Sequence, residues 1–107
     1  MFNKTDTSKK KNIREMAQEL KALANDLAQD FGYPLTFDEL TTLIAIIDYM
    51  DKFTLKCLDE NNKVIHKIWI GTVLIKALKV LARSKKPLIK DITKKIAELE
   101  YEIRSSE

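Results

Sequence analysis

Glycine and proline each occur only twice in 107 residues, and that scarcity removes several functions at once. With Gly32 and Gly71 as the sole glycines, no glycine-rich loop exists to cradle a phosphate. A single cysteine, Cys57, excludes an internal disulfide and fits a reducing compartment. One cysteine and one histidine, His66, fall short of the three or four ligands that a zinc site usually draws from side chains. The longest largely apolar run, Ile68 to Ile75, is far shorter than the roughly 20 residues that span a bilayer. The stretch from Phe2 to Lys11 is polar and basic, without the apolar segment of a secretory signal. These absences predict a cytoplasmic protein with no cofactor, no metal, no membrane contact and no small-molecule substrate.

What is present is enough for one small domain. Hydrophobic residues make up 45% of the chain, which argues against wholesale disorder. A domain of this size buries only about 60–65% of its unfolded surface, so a second subunit would add stability and a homodimer is expected. Residues 1–11 read as a flexible basic tail and 12–107 as a single helical domain.

Helical periodicity dominates that domain. Ile13, Met16, Leu20, Leu23, Leu27 and Phe31 advance in steps of three and four, predicting a helix over about 12–31. Gly32 would take a left-handed cap, and Pro34 forbids continuation. Thr36 with Glu39 three residues on makes a capping box for a second helix over about 36–51. That helix is apolar over a wide arc, from Phe37 through Leu40, Leu43, Ile44 and Ile47 to Met50, as expected of a central element. Helices over about 72–86 and 87–104 follow, the last opened by Pro87. Its Ile89, Ile92, Ile96, Leu99 and Ile103 form a heptad-like seam that would either hold a dimer or close the bundle.

Residues 53–70 admit two readings. The β-branched and aromatic content of Thr54, Val64, Ile65, Ile68, Trp69 and Ile70 favours a β-hairpin turning at 60–63, with Thr72 capping the next helix. Alternatively the second helix runs on toward Asp59 and a third starts near Asn62, placing Gly71 inside it at a cost of about 1 kcal/mol relative to alanine. The hairpin is the preferred expectation. The fold class is therefore mainly α, four helical segments with a possible central hairpin.

Catalytic chemistry finds little support. A hairpin would bring Cys57 toward His66, but no oxyanion-binding or orienting group accompanies them, and both read as ordinary strand residues. Asp59 and Glu60 beside Asn61 and Asn62 lack the spaced acidic pattern of a calcium loop and read as a turn. The chain is expected not to be an enzyme.

Charge is the feature that stands out. Residues 12–62 carry ten acidic and four basic side chains, whereas 63–95 carry ten basic ones against Asp91 alone. Lys76, Lys79, Arg83 and Lys86 step three, four and three, one cationic stripe opposite Leu74, Leu78 and Leu81. Lys85, Lys90 and Lys94, with Lys95, extend it across the turn into the last helix. A duplex phosphate backbone rewards such a patch, because each neutralised phosphate releases counterions. Lys9, Lys10 and Lys11 would add an arm along the duplex. The expected partner is accordingly double-stranded DNA, bound by a regulatory or accessory protein. The alternative is an acidic protein, with this chain as an immunity protein, antitoxin or inhibitor; complementary charge would speed that encounter.

The stretch Pro34-Leu35-Thr36-Phe37-Asp38-Glu39-Leu40 through Thr54-Leu55-Lys56 resembles the opening of MarR/SarA-type winged-helix regulators. The resemblance implies a capped core helix leading through a short strand into a helix-turn-helix. It ends there: the interval from Thr54 to the basic helix is too long, no Asp-Arg-rich wing follows Lys86, and no residue role carries over.

Overall fold

Asn12 begins the described structure, a computed structural model covering residues 12–106, and it does so as a helix cap. Its side chain accepts from the Glu15 backbone N–H at 2.8 Å, while the Glu15 carboxylate accepts from the Asn12 N–H at 3.2 Å. This reciprocal box satisfies two of the orphan donors at the start of α1 (Ile13–Ala28). A second box, Thr36 with Glu39, opens α2 (Phe37–Lys52). Two further helices complete the chain, α3 (Lys67–Leu81) and α4 (Pro87–Ser105), with Pro87 in the first turn of α4. The basic segment read as a tail, residues 1–11, lies outside the described residues.

Each helix runs antiparallel to the next. Lys21 of α1 pairs with Asp51 near the end of α2 at 2.9 Å, and Tyr49 near the end of α2 meets Trp69 at the start of α3. The Lys67 ammonium, in the first turn of α3, donates to the backbone carbonyl of Ser106 beyond the end of α4. α4 also packs on α1, which closes a ring of four helices. Ile89, Ile92, Ile96, Leu99 and Ile103 are all buried, so the α4 seam is spent inside the bundle rather than on a dimer. Across from it lie Ala17, Leu20, Ala24 and Leu27 of α1, in a core shared with Leu43, Met50, Leu74 and Leu81.

The hairpin expected over 53–70 does not form. α2 instead widens into one π turn, Phe53–Cys57. Met50, Phe53 and Cys57 keep the three-and-four spacing of the buried stripe, so burial overrides the β preference of the local residues. Only the turn survives from that reading. Leu58 and Val64 make one antiparallel bridge, and between them Asp59 accepts from the N–H groups of Asn61 and Lys63, both at 2.9 Å. Asn62 takes a positive φ of 64° there, and Arg14 of α1 holds its side-chain oxygen at 3.3 Å. No paired strands follow among the described residues, so the winged-helix resemblance does not extend to the fold.

Three boundaries also move: α3 ends at Leu81, short of the expected residue 86, so Arg83 and Lys86 of the expected stripe lie beyond the helix. α3 starts at Lys67, five residues before the expected Thr72, whose hydroxyl donates back to the Ile68 carbonyl at 2.9 Å instead of capping. α1 stops at Ala28, leaving Phe31 98% exposed and Gly32 without a left-handed backbone. The Asp30 carboxylate accepts from the Gly32 N–H at 3.1 Å, and this Asx turn ends the helix before the glycine is needed.

Gly71 offers a direct test of the helical reading. It is buried inside α3, yet a Cβ built there meets nothing within 4 Å. Gly71→Ala is therefore expected to stabilise the protein by about 0.5–1 kcal/mol in urea unfolding, the usual gain for alanine in a helix interior. A loss of stability would contradict a helix at this position.

Candidate functional site

Six of the seven cations picked from the sequence are exposed. On α3 the buried positions include Ile70, Leu74, Ala77 and Leu81, and Lys76 and Lys79 project from the opposite, exposed side, while Arg83 is exposed in the turn that follows the helix. Lys85 is exposed in the following turn. Lys90 and Lys94 share the exposed face of α4, away from its isoleucine seam. Because α3 and α4 join through residues 82–86, Lys79, Arg83, Lys85 and Lys90 lie near one end of the bundle, with Lys76 and Lys94 further along their helices. The first turn of α4 holds no acidic residue and its cap position makes no side-chain hydrogen bond, so the helix dipole adds positive potential there.

Lys86 is the exception. Its ammonium turns inward and pairs with the Glu39 carboxylate at 2.5 Å. Glu39 is 6% exposed and is the buried charged residue of the described core. Burial alone would push its carboxyl up. The Lys86 ammonium, the Thr36 N–H and the Ser84 hydroxyl more than offset this and hold it below the ordinary glutamate value. The pair ties the start of α2 to the α3–α4 turn. Lys95 is likewise drawn to Glu19 of α1, at 3.6 Å.

The other sequence candidates disperse. Leu58–Val64 bridging brings the backbones of Cys57 and Ile65 together, with the Ile65 N–H donating to the Cys57 carbonyl at 2.8 Å. The Cys57 side chain is nonetheless buried in the core while His66 is exposed. Burial pushes the Cys57 thiol up, the wrong direction for a nucleophile, and Lys56 offsets this only in part. Asp59 spends its carboxylate on its own turn, and no group of three or more metal-ligating side chains gathers among the described residues. No described helix is long and apolar enough to cross a membrane.

A second surface was not picked from the sequence. Between α2 and α3 lies an open groove of about 1000 Å³, walled by α2 from Thr41 to Tyr49 and by α3 from Lys67 to Val80. Its lining side chains are large at one end and small further along. Tyr49 and Trp69 stand edge to face, 5.3 Å between ring centres, whereas Ala45 and Ala77 are too short to fill the space between the helices. Ile65 and Ile68 border it, 54% and 88% exposed. The ionisable residues lining it are His66, Lys67 and Lys76, with no carboxylate among the described lining. One signal was available in the sequence: the run from Ile68 to Ile75 is too broad to be buried by a single helix face.

The Glu39–Lys86 pair has a measurable consequence. A carboxyl held below its unfolded value of about 4.3 contributes stability above that pH and loses it as pH falls through the lower folded value. Glu39→Gln is expected to cost about 1–3 kcal/mol near pH 7 while flattening the loss of stability as pH falls below about 4.3, read by urea melts across pH. An unchanged acid limb in the variant would show that Glu39 is not the group responsible. Comparison with protein-family models, with curated proteins and with solved structures finds no match to this chain.

Proposed function

We propose that this chain is a small non-enzymatic binding protein, regulatory or accessory in role, whose cationic α3–α4 face holds double-stranded DNA. One observation carries the reading. Lys76, Lys79, Arg83, Lys85, Lys90 and Lys94 are all exposed on α3, on α4 and in the connection between them, and Asp91 is the only acid from residue 63 to residue 95. Like charges three and four apart repel by a few tenths of a kcal/mol per pair, so the face carries a standing cost that a polyanion relieves. Lysine predominates over arginine, which suits phosphate contact better than base reading. The expected homodimer needs a face other than the α4 seam, since that seam is buried.

A second reading, an acidic protein as the partner, is favoured by the α2–α3 groove, because an open apolar surface with cationic borders is a common mark of a protein interface.

Fluorescence anisotropy of a labelled random duplex tests the first reading. Binding is expected at micromolar protein, weakening with a log–log slope of about −4 or steeper between roughly 50 and 300 mM salt. Replacing Lys76, Lys79 and Arg83 with glutamine should flatten that slope by about 2–3 while leaving the melting transition in place. No binding at about 50 mM salt would remove the nucleic-acid reading.

A further inference from the structure

We infer that the α2–α3 groove is a docking site for an acidic amphipathic helix of a protein partner. This rests on the protein-partner reading and adds to it the place, the shape and the charge of what is bound.

Shape comes first. The α2 wall runs from Thr41 to Tyr49 and the α3 wall from Lys67 to Val80. At 1.5 Å per residue these walls are about 12 and 20 Å long, which matches two to four turns of a helix laid between them. An open trough between two helices takes the apolar face of a third, read by anchors at i, i+3 or i+4, and i+7. Trp69, 40% exposed, and Tyr49 supply the aromatic contact at one end, and the small Ala45 and Ala77 leave depth for an incoming leucine or phenylalanine.

Charge then selects among occupants. His66, Lys67 and Lys76 border the groove and no carboxylate lines its described wall, so acidic residues on the polar flank of the incoming helix are attracted and basic ones repelled. The same charge disfavours the chain's own basic N-terminal segment as occupant, since four lysines stand against one aspartate in residues 1–11. Ile68 and Ile65 next to this border give the partner's apolar face more to cover than the groove floor alone.

Trp69 is the only tryptophan, so its emission reports on the groove directly. The probes are two tryptophan-free peptides of about 16 residues with one shared leucine face, the remaining positions glutamate in one and lysine in the other. The glutamate peptide is expected to shift Trp69 emission to the blue and to bind at least about tenfold tighter than the lysine peptide. Ala45→Glu, at the middle of the α2 wall, should weaken it by about tenfold or more; Thr41→Glu, exposed one turn earlier, gives the same test if Ala45→Glu does not fold. Equal binding of the two peptides would overturn the proposal. Glutamate-peptide binding that leaves Trp69 unmoved and ignores both substitutions would overturn the groove as its site but keep an acidic protein partner elsewhere. Absence of binding by either peptide removes both. A blue shift that grows with protein concentration alone, with a dimer mass by light scattering, would make a second copy the occupant and overturn the proposal. Duplex DNA that moves Trp69 and is weakened by Thr41→Glu would do so too.

Discussion

The apolar seam of α4 is the constraint on which the rest of the bundle depends. Ile89, Ile92, Ile96, Leu99 and Ile103 follow the whole length of the last helix and are all buried. Both α3 and α1 pack on α4, so the first and last described helices meet across the ring to close the core. Burial of such side chains is worth about 1.5–3 kcal/mol each, enough for this seam to decide the topology. The same closure leaves the α2–α3 edge on the other side of the ring, where short side chains meet and the groove opens.

That edge is held at both ends by different chemistry. Tyr49 and Trp69 pack edge to face where α2 ends and α3 begins. Glu39 and Lys86 form an ion pair where α2 begins and the α3–α4 turn follows. A buried carboxylate is tolerated because Thr36 and Lys86 satisfy it, and the same Thr36–Glu39 box caps α2. One residue thus serves as helix cap, ion-pair partner and strut. Because both ends are fixed, the groove is held mainly by α2 and α3, with Ile65 and His66 of the preceding loop completing its border.

The four-helix plan was legible from spacing and caps, and the site only in part. Thr36–Glu39 and Pro87 marked the starts of α2 and α4 to within a residue, since each acts through its own backbone. The region from Phe53 to Ile70 misled because its β-branched residues carry a local preference, whereas Met50, Phe53, Cys57 and Ile70 answer to a core assembled from distant helices. Lys86 was read as a surface cation for the same reason: Glu39 is 47 residues away, and no spacing rule connects them. The groove was the least visible. It arises from what α2 and α3 fail to fill between them, and an absence of side chain at Ala45 and Ala77 carries no sign in either helix alone.

Lys76 belongs to both proposed surfaces, and that shared position has a thermodynamic consequence. It stands on the exposed stripe with Lys79 and Arg83, and it also lines the groove. An acidic helix that takes up Lys76 removes one cation from the phosphate-binding face, which lowers the number of counterions a duplex can release by about one. By linkage, a bound duplex must weaken the acidic helix by the same factor. Two separate surfaces on so small a bundle would thus be antagonists, coupled through one side chain and without any change in fold. Such a coupling is what a regulatory protein needs if its DNA contact is to be relieved by a protein signal, and here it follows from where a single lysine sits on α3.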